Sequence, residues 1–109
     1  MRVYEVVVIL DSSLEDEQID EYLVRVESVV SSREGKVFGV ERWGRKRFSY
    51  EIDHRREGYY VIVRIQGVPD TVAELDRTLS ISDEIIRHKI VRLPEKVAAK
   101  FLAGSQTSA

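Results

Sequence analysis

The order of hydrophobic patterns along the chain restricts its fold more than any other feature. Four segments rich in β-branched and apolar residues are interleaved with two segments in which apolar residues recur every three or four positions. The first pattern is typical of strands and the second of helices. The predicted strands are residues 2–10, 36–52, 59–66 and 85–93, and the predicted helices begin near Ser12 and at Pro69.

This order predicts an α+β fold of the ferredoxin-like type, βαββαβ. Two right-handed crossovers give a four-stranded antiparallel sheet with two helices on one face. The first and third strands then lie in the centre of the sheet, and the second and fourth strands form its edges. The helices face the sheet with one apolar stripe, made of Ile19, Leu23, Val26, Val30, Leu75 and Leu79.

Three local signals predict where the elements begin, end and bend. Ser12 and Glu15 have the spacing of a capping box, which places the start of the first helix there. Gly35 predicts a left-handed residue at the end of that helix. Gly39 or Gly44 is expected to kink the long second strand.

The composition indicates one soluble domain. The 109 residues are 43% hydrophobic and 33% charged, and the longest apolar run, residues 6–10, is far too short for a membrane span. Residues 1–93 are the predicted domain, and residues 94–109 are the predicted flexible tail. There is no cysteine, so thiolate metal sites and disulfides are excluded. We expect a cytoplasmic protein, monomeric when isolated, without a membrane partner or cofactor.

Residues that could support catalysis are scarce. His54 and His88 are the only histidines, and neither has metal-ligand spacing or a nearby nucleophile. The chain also lacks the glycine-rich loops that hold nucleotide phosphates. The sequence therefore predicts a protein that is not an enzyme, with no catalytic residue and no metal site.

Basic residues are concentrated in the second strand, where the sequence reads RWGRKRFSYEI from Arg42 to Ile52. Arg45 and Arg47 share a parity, so their side chains should leave the same face of the strand. More bases occur at Arg2 and, in the fourth strand, at Arg87, Lys89 and Arg92. Guanidinium groups bind phosphates well, but edge strands also carry charges that prevent pairing between sheets. The residues alone leave both interpretations open.

The sheet face opposite the helices is the second candidate site. Four residues point to this face by alternation, namely Val7, Ile9, Tyr60 and Ile62, and Trp43 lies near its border. An exposed apolar patch indicates a protein partner, with homodimerisation or scattered exposure as the alternatives.

Several segments together resemble one protein family. MRVYEVVVILD, GKVFGVERWGRKRFSYEI, EGYYVIVRI and LDRTLSISDEIIRHKIVR are similar to the sixth ribosomal protein of the bacterial small subunit. The resemblance covers roughly residues 1–93 and is most specific at Trp43–Ile52. The tail after Pro94 is not matched.

The resemblance implies a structural constituent of the small ribosomal subunit, located on the ribosome in the cytoplasm. It implies binding to the central domain of small-subunit ribosomal RNA together with the eighteenth small-subunit protein. The RNA-facing candidates are then Arg2, Arg45, Lys46, Arg47, Arg87 and Arg92. The partner-facing candidates are Val7, Ile9, Trp43, Tyr60 and Ile62. A regulatory or oligomerising ferredoxin-like domain that binds a small molecule is the alternative.

Overall fold

The computed structural model describes residues 2–52 and 54–107, with side chains as far as residue 102. The elements are β1 (Arg2–Asp11), α1 (Asp16–Ser32), β2 (Lys36–Ile52), β3 (Arg55–Gly67), α2 (Pro69–Ile81), β4 (Ile85–Arg92) and α3 (Glu95–Thr107). Met1 of the predicted domain, Asp53 of the predicted hairpin loop, and Ser108 and Ala109 of the predicted tail lie outside the described residues.

The four strands form one antiparallel sheet in the order β2-β3-β1-β4. This confirms the ferredoxin-like arrangement, with β1 and β3 in the centre and β2 and β4 at the edges. None of the described helices is both long enough and apolar enough to cross a bilayer.

The core lies between the sheet and the two helices α1 and α2. Side chains alternate along β1 and β3, so one parity of each strand faces the helices. That face carries Tyr4, Val6, Val8 and Leu10 from β1 and Tyr59, Val61, Val63 and Ile65 from β3. The helices contribute the predicted stripe, with Tyr22 in addition, while Leu23 is only partly buried.

The start of α1 differs from the prediction. Glu15, not Ser12, is the N-cap residue, and its backbone N–H donates to the side-chain oxygen of Gln18 at 2.8 Å. Asp11 holds the preceding turn because its carboxylate accepts hydrogen bonds from the backbone N–H and hydroxyl of Ser13. An aspartate that bonds to the backbone two residues on competes with a helical start, so the helix begins later.

The end of α1 also differs from the prediction. The left-handed residue is Glu34, at φ 62°, and not Gly35. Gly35 is needed for another reason, because a Cβ there would lie 2.6 Å from Cγ2 of Thr71 and 2.7 Å from Cγ1 of Val30. Thr71 is fully buried and donates from its hydroxyl to the carbonyl of Arg33 at 2.6 Å. The glycine therefore lets the end of α1 approach the start of α2.

The strand β3 is longer than predicted, and its connection to β2 is therefore shorter than predicted. The third strand begins at Arg55 instead of Tyr59, and His54 takes a left-handed φ of 64° in the short connection. The β2–β3 register shifts between Val37 and Gly39, between Arg42 and Gly44, and between Arg47 and Ile52. The two glycines expected to kink the strand therefore lie beside breaks in the ladder, and Gly44 has φ 85°.

A third helix occupies part of the segment predicted as a flexible tail. Glu95–Thr107 form α3, whose first turn is closed by the hydrogen bond from Ala98 N–H to the carbonyl of Pro94 at 2.9 Å. The centre of the Phe101 ring lies 4.0 Å from the guanidinium carbon of Arg64. Arg64 is on the sheet face opposite α1 and α2. The expectation that this face is entirely uncovered was therefore wrong for the end that contains Arg64.

Candidate nucleic-acid and partner interface

The half of the sheet face that α3 leaves free carries the predicted apolar residues together. Ile9 pairs with Tyr60 and Val7 pairs with Ile62 across β1 and β3. We call these four residues the open patch. Three of them are half-buried and Ile62 is 7% exposed, so the patch is flat and partly self-packed.

Phe48 from β2 extends the open patch. Its ring meets the Tyr60 ring edge-on, with centroids 6.2 Å apart and planes at 63°. Gly58 makes this possible, because a Cβ there would lie 2.4 Å from Cγ2 of Ile9 and 2.8 Å from Cζ of Phe48. Phe48 was not predicted as a site residue, although its place in an aromatic and basic segment could have suggested it.

Cations and an exposed tryptophan border the open patch. Arg87 and Lys89 pair with Ile9 and Val7 across β1 and β4, and both side chains are exposed on this face. They line a shallow cleft of about 300 Å³ with Val7, Ile9 and His88. On the other border Trp43 is 53% exposed, and the ammonium of Lys46 lies 5.6 Å from its ring centre.

The ladder separates the three consecutive bases of β2. Arg45, Lys46 and Arg47 lie opposite Tyr59, Gly58 and Glu57. Since Tyr59 faces the helices, Arg45 faces them as well and Lys46 faces the open side. No acidic side chain in the described part of the chain forms an ion pair with Lys46 or Arg47, and both are exposed.

Arg45 is bonded within the chain. Its Nε donates to the carbonyl of Ser12 at 3.0 Å, and its Nη2 donates to the carbonyl of Leu14 at 2.6 Å. Its Nη1 lies 3.8 Å from the carboxylate of Asp16. The guanidinium also lies over the ring of Tyr59, 5.4 Å from its centre.

Two neighbouring arginines are also used inside the molecule. Arg42 pairs with Asp20 and donates to the hydroxyl of Tyr59 at 3.0 Å, and these bonds, that to Asp20 first, raise the pKa of Arg42. Arg55 donates to Asp11 at 3.1 Å. The basic segment therefore offers fewer free cations than its sequence indicates.

The other predicted RNA-binding residues lie at two further places. Arg2 and Arg92 are exposed at the far end of the sheet, where both line a cleft beside α3. Arg87 lies at the opposite end of β4, next to the open patch. The six candidates thus do not form one contiguous cluster.

The hydrogen bonds from Ser13 to the Asp11 carboxylate, with the ion pair to Arg55, predict a pH dependence of stability. The backbone N–H of Ser13, with help from Arg55, holds the pKa of Asp11 below its ordinary value of 3.8. The resulting stabilisation is complete above the unfolded-state pKa of about 3.9 and is lost as the pH falls through the folded-state pKa. The unfolding free energy of Asp11→Asn should therefore decline less than that of the parent between about pH 5 and pH 2. Equal declines would contradict this prediction.

The two histidines and the acidic groups of the described residues form no metal cluster. His88 pairs through Nε2 with Asp76 at 2.8 Å, across β4 and α2. Within residues 2–52 and 54–107, no group of three or more His, Cys, Asp or Glu side chains could hold a metal ion.

The fold and the two surfaces define a small binding protein of the ferredoxin-like type, with an apolar sheet face bordered by cations. A family model described as ribosomal protein S6 matches residues 3–92, and the chain belongs to that family.

Named relatives and a solved structure agree with this assignment. Small ribosomal subunit protein bS6 of Carboxydothermus hydrogenoformans is 40% identical over 92 residues, which cover 84% of this chain and 96% of that protein. The bS6 protein of Moorella thermoacetica is 41% identical over 98 residues, which cover 90% and 100%. The crystal structure of 30S ribosomal protein S6 from Thermotoga maritima matches with a TM-score of 0.83 at 28% identity, over 94% of this chain and 97% of that one.

Family membership sets the general role of the chain. It is a structural protein of the bacterial small ribosomal subunit, located on the ribosome in the cytoplasm, and it is not an enzyme. Its exposed surfaces are therefore interpreted as contacts within the ribosomal subunit and not as parts of a catalytic site.

Proposed function

We propose that the chain binds the central domain of small-subunit ribosomal RNA jointly with the eighteenth small-subunit protein. The main support is the separation of two kinds of surface on one rigid sheet. Exposed cations that form no ion pair with another described side chain border an apolar patch, which none of the described helices covers. The cations suit RNA phosphates and the patch suits a protein partner.

RNA contacts are assigned to cations whose side chains are free to meet phosphates. Lys46 projects from the open face of β2, and Arg87 lies across the open patch from it. Arg47 is exposed on the other face of β2, because side chains alternate along a strand. Arg2 and Arg92 would meet RNA at the other end of the sheet. Phosphate contacts dominate RNA affinity and make it depend on salt, since each contact releases bound counterions. Arg45 belongs to the predicted set, but its hydrogen bonds to two carbonyls already occupy its guanidinium.

The partner surface is assigned to the open patch and Trp43. Val7, Ile9, Tyr60 and Ile62 give a flat apolar centre, and Trp43 gives an exposed ring at its border. Apolar centres with aromatic anchors and charged rims are typical of protein interfaces. A partner on this patch would be held next to the RNA-facing cations, which supports the proposal of joint binding.

Removing Lys46 and Arg47 together should weaken RNA binding through lost phosphate contacts. The double variant Lys46→Ala/Arg47→Ala should bind a central-domain RNA fragment, with the eighteenth protein present, about tenfold more weakly. The slope of log affinity against log salt should fall by about 0.7–0.9 for each lost contact. Filter binding or fluorescence anisotropy across a salt series measures both quantities.

A double variant on the helices is the matched control. Arg25→Ala/Arg77→Ala removes the same charge from α1 and α2, away from the open face, and should leave the slope unchanged. If both double variants weaken binding equally, the effect comes from net charge and the assigned contacts are wrong. If the parent chain does not bind the RNA and the isolated chain dimerises, the oligomerising alternative is favoured.

A further inference from the structure

The hairpin beyond β1 is supported by few neighbours. β1 ends at Asp11, opposite Gly58, so residues 47–52 and 54–57 continue without a third strand and pair with each other at Arg47–Glu57 and Ile52–Arg55. We call these residues the hairpin arm. An isolated two-stranded hairpin is marginally stable in water. The arm nevertheless carries two exposed side chains, those of Arg47 and Tyr50, and Tyr50 is 72% exposed.

Two arginines connect the base and the far strand of the arm to the loop between β1 and α1. Arg45 donates from two nitrogens to the carbonyls of Ser12 and Leu14, at 3.0 and 2.6 Å. Arg55 donates to Asp11 at 3.1 Å, and Ser13 holds the same carboxylate. The planar fork of a guanidinium fixes both direction and distance, which a flexible ammonium does not.

The loop that receives these bonds is itself fixed. It is held at one end by β1, in the centre of the sheet, and at the other end by the first turn of α1. The backbone N–H of Asp11 also donates to the carbonyl of Glu84, at 2.9 Å, just before β4. Bonds from Arg45 and Arg55 therefore tie the arm to the rigid part of the molecule.

We propose that Arg45 and Arg55 are positioning residues, which hold the hairpin arm at a fixed angle so that Arg47 reaches RNA phosphates. This inference rests on the proposed contact of Arg47 with RNA. It gives Arg45 a role different from that of its neighbours, because its guanidinium acts on the loop and not on RNA. Loss of the anchor should widen the range of arm orientations and weaken binding without removing a phosphate contact.

Three single variants separate positioning from direct contact. Arg45→Ala removes the anchor and the charge, Arg45→Lys keeps the charge without the fork, and Arg47→Ala removes a free cation. Both Arg45 variants should bind the RNA fragment, with the partner present, roughly tenfold more weakly at an unchanged salt slope. Arg47→Ala should lower the slope by about 0.7–0.9.

Hydrogen exchange of the free protein supplies a readout that does not depend on RNA. Amides of Ile52 and Glu57, which lie at the paired positions of the arm, should exchange roughly tenfold faster in both Arg45 variants, because the arm opens more often, and at the parental rate in Arg47→Ala. Arg55→Ala should resemble the Arg45 variants.

The outcomes are distinct. Parental affinity of Arg45→Lys, with a reduced slope for Arg45→Ala, would make Arg45 a phosphate contact and overturn the inference. Unchanged arm exchange in both Arg45 variants would also overturn it. If the parent binds no RNA, the proposed function fails, while faster exchange in the Arg45 variants would still support the anchor.

Discussion

Replacing Tyr60 by alanine is expected to weaken binding of the eighteenth small-subunit protein by about 2 kcal/mol, or roughly 30-fold. Tyr60 combines a large ring with few rotatable bonds, and it lies between Ile9 and Phe48 at the centre of the open patch. RNA binding that depends on the partner should fall with it. Isothermal titration of the two proteins measures the first effect directly.

The control for Tyr60 is an exposed apolar residue outside the patch. Val24 on α1 is 68% exposed, and Val24→Ala should leave partner affinity at the parental value. Tyr60→Phe, which keeps the ring, should lose much less affinity than Tyr60→Ala. A complex with the partner on α1 and α2, or parental affinity for Tyr60→Ala, would contradict the assignment of the open patch.

Leu75→Ala is expected to lower the free energy of unfolding by about 2–5 kcal/mol. Leu75 has no exposed surface and packs in the cluster formed by the sheet and both helices, so its truncation leaves a cavity. Ile81→Ala on the same helix is the control, because Ile81 is 64% exposed and should change stability by less than about 0.5 kcal/mol. Chemical denaturation of both variants tests this, and a loss below about 1 kcal/mol for Leu75→Ala would place it outside the core.

Periodic patterns predicted the fold well because burial on one face leaves a direct trace in the sequence. The order of strand and helix patterns predicted the sheet order. The alternation in β1 and β3, with the stripe from Ile19 to Val30, predicted the helix-facing core. The ends of elements were harder, because they depend on single competing contacts. Ser12 was expected to cap α1, but Asp11 bonds to the backbone of Ser13 and forms a turn there. Gly35 was expected to be left-handed, but it is needed because it lies close to Thr71.

The candidate site could be predicted only as a set of residues. Alternation brought the four residues of the open patch together, because their positions follow from strand parity. Whether each cation is free or bonded within the chain could not be predicted from strand parity. Whether Arg45 meets a phosphate or two carbonyls depends on where the loop after β1 lies, and that is fixed by tertiary structure. The helix α3 was missed because a flexible tail was predicted after Pro94, and the contact of Phe101 with Arg64 is visible only in the folded structure.

The position of β1 has a consequence for how the protein is made. β1 is the first strand of the chain, yet one of its two neighbours is β4, the last strand. Synthesis adds about 5–20 residues per second, so after β3 emerges β1 keeps a bare edge for roughly one to a few seconds. During that time a nascent chain can pair with another copy instead of with its own β4. Variants that delay the docking of β4 should therefore be lost to aggregation in the cell before the purified protein shows reduced stability.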